Sequence, residues 1–314
     1  MNETPPTGSA LAPDPPWMHR ATEIVRIAAR HRTGVKLTDL VALLPPQAPS
    51  DPSELGRWLT GRFPRGAVED GVMYAEHRDA DRAGVLDLAA RAEQYVRSAQ
   101  RLFEESLGRE RDWLRCAAVT GSAAYGQAQA GDDCDLLVVT RPGLVWPFLL
   151  AAYLRFRLLP RGSAPAPRWC LNLVVDERRA STLYDTPQGF HVAREALLAR
   201  AVLGVRYYGS LLRRASWIRE EIPRLYGERV PPADSDEDGS SSAGSTVRVA
   251  NLPIFLLLGA YVSAVGLVRN ARLRRAGNVE KGFRTRISPH GLAFESVEFD
   301  RLRTAYRDAR SAGE

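Results

Sequence analysis

Lysine is almost missing from this sequence: only Lys36 and Lys281 stand among its 43 basic residues, and the rest are arginine. The skew reads as GC-rich coding rather than as a task. The basic residues are scattered among 37 acids instead of forming one block, so a formal charge of +6 is weak support for a nucleic-acid partner. Cysteine is scarce as well. Cys116, Cys134 and Cys170 form an odd set without metal-ligand spacing, each inside a predicted strand, which argues against a disulfide framework. They read as small core residues of a reducing compartment. The N-terminus, MNETPPTGSALAPDPP, lacks both the basic start and the apolar run of a signal peptide. Residues 1–16 are therefore expected to be a disordered leader, and the protein to be cytoplasmic. Internal repeats are absent.

What is present suffices to fold. A chain of 314 residues with 45% hydrophobic content can hold two domains, or one with appendages. Between Trp17 and His77 the pattern predicts three short helices and a hairpin. The third helix has a strong start in Asp51-Pro52-Ser53-Glu54, with an Asp cap, a proline at the first helical position and a glutamate three residues after the cap. Asp70-Gly71 is a hairpin dipeptide. This arrangement over 17–78 is winged-helix-like, and Arg57, Arg62 and Arg65 on its third helix make a modest phosphate-binding set. Such modules more often serve protein contacts, so DNA binding is not the favoured reading.

Residues 79–110 are expected to form a connecting helix, with Leu88, Ala92, Tyr95, Ala99 and Leu102 on one stripe. An α/β unit follows over 111–228. Its predicted strands cover 113–120, 133–140 and 169–176, and its predicted helices 144–158, 191–203 and 206–226. Residues 229–246, which include PPADSDEDGSSSAGST, read as a flexible linker, and 247–314 as a helical C-terminal region. The stretch VANLPIFLLLGAYVSAVGLV, residues 249–268, carries no charge and is long enough to cross a bilayer. Its basic flank, Arg269, Arg272, Arg274 and Arg275, would stay cytoplasmic and put the α/β unit outside, without an export signal to take it there. A helix packed on the α/β unit, or lying on a surface, is preferred to a membrane contact.

The chemistry is concentrated in VTGSAAYGQAQAGDDCDLLVVT, residues 119–140. Asp133 and Asp135 open an otherwise apolar strand and project from one face, where two ionised carboxylates need a cation. An all-oxygen pair suits magnesium, which is commonly completed by water and substrate phosphates. The preceding turn, Gly121-Ser122, offers backbone N–H groups and a hydroxyl to a phosphate.

Gly-Ser, ten residues, then Asp-x-Asp resembles the signature of nucleotidyltransferases of the DNA polymerase β type. The wider sequence, through RWCLNLVV, FHVAREAL and YYGSLLRRASWIREEIP, resembles bacterial and archaeal nucleotidyltransferases that begin with a winged-helix-like region. The resemblance implies an α+β fold: a small mixed-sheet core with flanking helices. It implies transfer of a nucleoside monophosphate from a nucleoside triphosphate to a hydroxyl of a small molecule, protein or nucleic acid. Gly121 and Ser122 would bind nucleotide, while Asp133 and Asp135 would hold Mg2+ in a two-metal site. The family normally adds a third carboxylate on a later strand. Alternation along Cys170–Asp176 puts Asn172 in that position, with Val174 and Asp176 on its face. An amide brings no charge, which weakens the second metal. Asp176, Asp185 and Glu195 remain candidates for the missing acid. The alternative is a degenerate nucleotide-binding regulator that signals through its winged-helix-like region. Arg141, His191 and His290 read as solvated or structural residues.

Overall fold

The computed structural model describes residues 15–30, 33–76, 79–158, 168–230, 232, 249–279, 282–297, 299–301 and 304. Most of the expected leader and of the linker over 229–246 lies outside the described residues. The chain is mixed α+β and divides into two compact units, Met1–Ala83 and Gly84–Glu314.

The first unit contains α1 (Pro16–Arg30), β1 (Val35–Lys36), α2 (Leu37–Leu43), α3 (Pro52–Arg62), β2 (Ala67–Glu69) and β3 (Val72–Tyr74). Helix α1 buries Met18, Ala21, Ile24, Val25 and Ala28, a stripe at helical spacing. Helix α3 starts where the sequence signals it, the Asp51 carboxylate accepting the Ser53 N–H at 3.0 Å. Between β2 and β3, Asp70 (φ 49°) and Gly71 (φ 76°) both take the positive φ that a tight hairpin demands. Strand β1 pairs with β3 and completes a sheet of order β1-β3-β2. Two residues are too few to show a strand period, so β1 was not legible beforehand.

The second unit begins with α4 (Asp79–Arg101), whose Ala92, Tyr95, Val96 and Ala99 enter the core. There follow β4 (Leu114–Thr120), α5 (Gly121–Ala124), β5 (Asp133–Thr140), α6 (Val145–Leu158), β6 (Arg168–Asp176), α7 (Glu177–Asp185), α8 (Phe190–Leu198) and β7 (Arg200–Leu203). Three short helices, α9 (Val205–Arg214), α10 (Ser216–Glu221) and α11 (Pro223–Arg229), precede α12 (Asn251–Arg275), β8 (Phe283–Ser288) and β9 (Gly291–Ser296). The sheet order is β7-β4-β5-β6-β9-β8. Only β5 and β6 run parallel, as their helical crossover α6 requires. Cys134, Leu136 and Val138 of β5 point into a core shared with α4 and α6, while α7, α8 and α9 pack elsewhere on β4, β5 and β6.

Three expectations change. The helix expected over 191–203 ends at Leu198, and Arg200–Leu203 becomes the edge strand β7. Gly204 permits this reversal: its φ is +64°, and a Cβ there would lie 1.9 Å from the Arg115 carbonyl oxygen. The helix expected over 206–226 is three pieces, broken at Ala215 and at Ile222-Pro223, since proline cannot continue a helix that precedes it. The C-terminal region is not wholly helical either. Its β8–β9 hairpin extends the main sheet, with β9 beside β6.

Two polar knots hold that hairpin. Asp176, 1% exposed, accepts the Arg179 N–H at 2.9 Å and pairs with His290 Nδ1 at 2.8 Å, while its own N–H donates to the His290 carbonyl. Asn251 accepts the Trp146 N–H at 3.1 Å and donates to the Pro289 carbonyl at 3.0 Å, and the Trp146 indole N–H donates to Ser288 O at 2.9 Å. These bonds satisfy groups that would otherwise be costly to bury. The left-handed, sterically closed site at Gly204 makes a stability test. Gly204→Ala is expected to lower unfolding free energy by about 3 kcal/mol, from strain plus backbone displacement. Urea unfolding checks it. Gly227→Ala, with open space around its Cβ position, should hold or gain stability.

Candidate functional site

The site begins with a missing side chain. Where β4 turns into α5, Gly121 takes φ +65°, and a Cβ at that position would lie 2.7 Å from Asp135 Oδ2. The chain can pass this close to the carboxylate only as glycine. Asp133 and Asp135 leave β5 on one face, two residues apart, with Asp133 exposed and Asp135 half-buried. Thus the turn and the carboxylate pair that the sequence marked are brought together.

The loop between them is pinned from several sides. Ser122 Oγ donates to Asp132 Oδ2 at 3.1 Å, and the same oxygen accepts the Gln129 N–H at 2.8 Å. Arg91 of α4 donates to the Ala128 carbonyl at 3.2 Å, and the Gln127 N–H donates to Ser122 O at 2.9 Å. The Ser122 hydroxyl therefore acts first as a brace for Asp132. Asp132 was not among the residues that the motif singled out.

Of the acids considered for the missing third position, Glu195 alone reaches this turn. Helix α8 aims its carboxylate at the Gly121 N–H. Burial pushes Glu195 up to about 7, and that N–H only partly offsets the shift. Asp176 sits at the other end of the strands, opposite Thr140, occupied by the α7 cap and His290. Asp185 forms a surface ion pair with Arg214 at 2.8 Å. Arg141 donates to the Asp112 carbonyl, and His191 is buried against the rings of Phe190 and Phe299. His191 is thus a buried structural residue rather than a solvated one.

The alternation from which Asn172 was placed is interrupted in β6. The β5–β6 register pairs Asp135 with Cys170 and Leu137 with Leu173, so two residues of β6, Leu171 and Asn172, oppose Leu136 alone. This bulge resets the alternation. Leu171 and Val174 both join the core, and Asn172 falls within the irregularity. The neighbour of Asp135 is Cys170, whose thiol favours the ionised carboxylate. Across from Asp133 stands Arg168. Nothing in the alternation of a single strand could have shown either pairing.

The electrostatics follow from this packing. Burial pushes Asp135 up to about 6, the Cys170 thiol opposes the shift, and repulsion from Asp133 and Asp132 adds to it. Cys170 itself rises to about 12, mainly by burial and then by the Asp135 charge. A cation between Asp133 and Asp135 would relieve the repulsion, and the pair offers it oxygen ligands of the kind magnesium takes. Among the described residues no group of three His, Cys, Asp or Glu side chains is placed to hold a metal.

An arginine completes the surroundings. Arg194 of α8 stacks on the Tyr125 ring, its Cζ 4.6 Å from the centroid. Its Nε and the Tyr125 hydroxyl are buried without hydrogen-bond partners among the described residues. Burial lowers Arg194 to about 10, so it stays cationic at neutral pH. A guanidinium desolvated beside the Gly-Ser turn, with no carboxylate paired to it, is suited to an anion. The sequence contained the residue, but no motif distinguished it from the other arginines.

The raised Asp135 gives a testable sign. The folded chain holds this proton more tightly than the unfolded chain, so its contribution to stability is present in acid and lost as pH rises through about 6. Asp135→Asn is therefore expected to raise the melting temperature at pH 7.5 in chelator. Added Mg2+ should raise it for the native chain and not for the variant. A lower melting temperature for the variant in chelator would contradict this reading. No protein-family model, curated protein or solved structure matches the chain, so its functional reading rests on this arrangement of Gly121, Asp133, Asp135 and Glu195.

Proposed function

We propose that the chain is a magnesium-dependent nucleotidyltransferase of the DNA polymerase β type, moving a nucleoside monophosphate from a triphosphate to a hydroxyl acceptor. The observation that carries this reading is the 2.7 Å approach of the Gly121 Cβ position to Asp135, which lays the Gly-Ser turn directly over the carboxylate pair. Such contact has no use in a plain core strand, where paired acids only cost stability.

In this reading Asp133 and Asp135 hold Mg2+, which supplies charge neutralisation to the triphosphate and to the transition state. The chain's own residues do the positioning. Glu195 places a carboxylate near the Gly121 N–H, where it competes with a phosphate for that donor. Ser122 and Asp132 brace the loop, and Arg194 and Arg168 are the cations available for phosphate oxygens. The acceptor hydroxyl oxygen forms a bond to the α-phosphorus and gives up its proton to solvent as the bond to the bridging oxygen breaks, and pyrophosphate leaves. The first unit, three helices with a three-stranded sheet, is read as winged-helix-like and as a contact module for a protein or DNA partner.

A second reading is favoured by one feature. The strand neighbour of Asp135 is the thiol of Cys170 rather than a third carboxylate, so the site is better equipped to bind than to turn over. In that case the chain is a nucleotide-binding regulator.

Incubation of the chain with Mg2+ and each α-labelled nucleoside triphosphate, with cell extract as the source of acceptor, decides between them. Transfer of label, lost in Asp133→Ala and Asp135→Ala, is the expected result for an enzyme. Binding without pyrophosphate release establishes the regulator, and the absence of any nucleotide binding contradicts both. Arg194→Gln is expected to weaken triphosphate binding by about tenfold or more, the range for a lost charge-assisted hydrogen bond. Equilibrium dialysis checks that figure, and nucleoside binding should be unaffected.

A further inference from the structure

The geometry points to a second binding surface on the same unit: the outer face of α12 lies in the plane of an anionic phospholipid bilayer surface, its apolar side chains in the interface and its terminal arginines on phosphate headgroups. The inner stripe of α12 is occupied. Ile254, Phe255, Leu258 and Val262 pack against the core, with the Phe255 ring 5.2 Å from that of Trp146. The outer stripe is not. Leu252, Leu256, Leu257, Leu267 and Val268 are all more than half exposed, Leu257 at 78%.

No charge interrupts that face from residue 249 to 268. Soluble monomers rarely expose so long a contiguous apolar surface without a partner for it. Although α12 is long and apolar enough to cross a membrane, it is tied at both ends to the globular unit. Asn251 bonds Trp146 and Pro289 near the start, and Asn270 donates to Phe283 O at 2.7 Å near the end. A span would break both ties. A helix lying in the interface keeps them.

Charge selects the occupant. Arg269, Arg272, Arg274 and Arg275 close the helix, and no acid occurs between 249 and 279. A second copy of this face would meet arginine with arginine when parallel and arginine with leucine when antiparallel, so self-association leaves these charges unpaired. Anionic headgroups pair them. Beside that end, a cavity of about 460 Å³ between α12 and β8 is lined by Ser263, Asn270, Arg274, Arg284 and Thr285, donors that suit a phosphate group. Residues 249–268 and their arginines thus meet the two requirements of surface attachment, apolar area and positive charge.

Flotation of the full chain with vesicles tests this. Vesicles of phosphatidylcholine with phosphatidylglycerol should carry the protein, and phosphatidylcholine alone should carry at least tenfold less, because each arginine near an anionic surface is worth about fivefold in partitioning. Leu257→Glu should abolish flotation, and the pair Arg272→Glu with Arg275→Glu should reduce it and its salt sensitivity. Both change exposed positions, and circular dichroism confirms that the variants fold. Equal binding to neutral vesicles overturns the proposal. So does a failure to float, whether the chain sediments as a dimer that Leu257→Glu dissociates or as a monomer. Flotation only after removal of 233–246 also overturns it, since the chain's own acidic segment would then cover the face.

Discussion

The absence of a side chain at Gly121 is the constraint on which the rest of the second unit depends. Asp135 stands half-buried, repelled by Asp133 and Asp132, with the Cys170 thiol partly offsetting the cost. It can remain there only because the β4–α5 turn passes without a Cβ. Each of these groups alone is unfavourable: a left-handed turn, a crowded pair of acids, a buried glutamate and an arginine desolvated beside an aromatic ring. Together they bring strain and unsatisfied polar groups to one turn, the kind of convergence that marks a candidate functional site.

The scaffold behind the turn is conservative in its physics. A mixed six-stranded sheet buries the apolar residues of β5 against α4 and α6, and the crossover between β5 and β6 sets the parallel pair that carries the carboxylates. The hairpin β8–β9 is secured to β6 through Asp176 and His290, at the end of the strands away from the site. Polar latches sit at one end of these strands and the crowded acids at the other. The apolar helix α12 packs one stripe on this scaffold and leaves much of its other face exposed.

Much of this was legible in the order of the residues, and what was not has identifiable causes. Strand β5 was readable to its ends, because a turn pair and two aspartates precede a run of buried aliphatics. Asp70-Gly71 marked its hairpin, and Asp51-Pro52 its helix, since both are local preferences of backbone and cap. The bulge in β6 was not readable. It depends on a register shift against β5, so the face of Asn172 and the pairing of Cys170 with Asp135 appear only when two strands are aligned. Strand β7 was taken for the end of a helix because Arg200–Leu203 is too short to declare a period. The β8–β9 hairpin was hidden in a region whose first half is helical. Glu195 was visible as a candidate, but its selection over Asp176 and Asp185 required the docking of α8 on β4.

The central claim is that Asp133 and Asp135 jointly hold the metal of a triphosphate beneath the Gly121 turn. Titration with Mn2+ in place of Mg2+, followed by electron paramagnetic resonance with a non-hydrolysable nucleoside triphosphate, reads that site directly. The account predicts one bound Mn2+ per chain, tightened by the triphosphate and lost in Asp133→Asn with Asp135→Asn. Bound Mn2+ that persists unchanged in the double variant would contradict it.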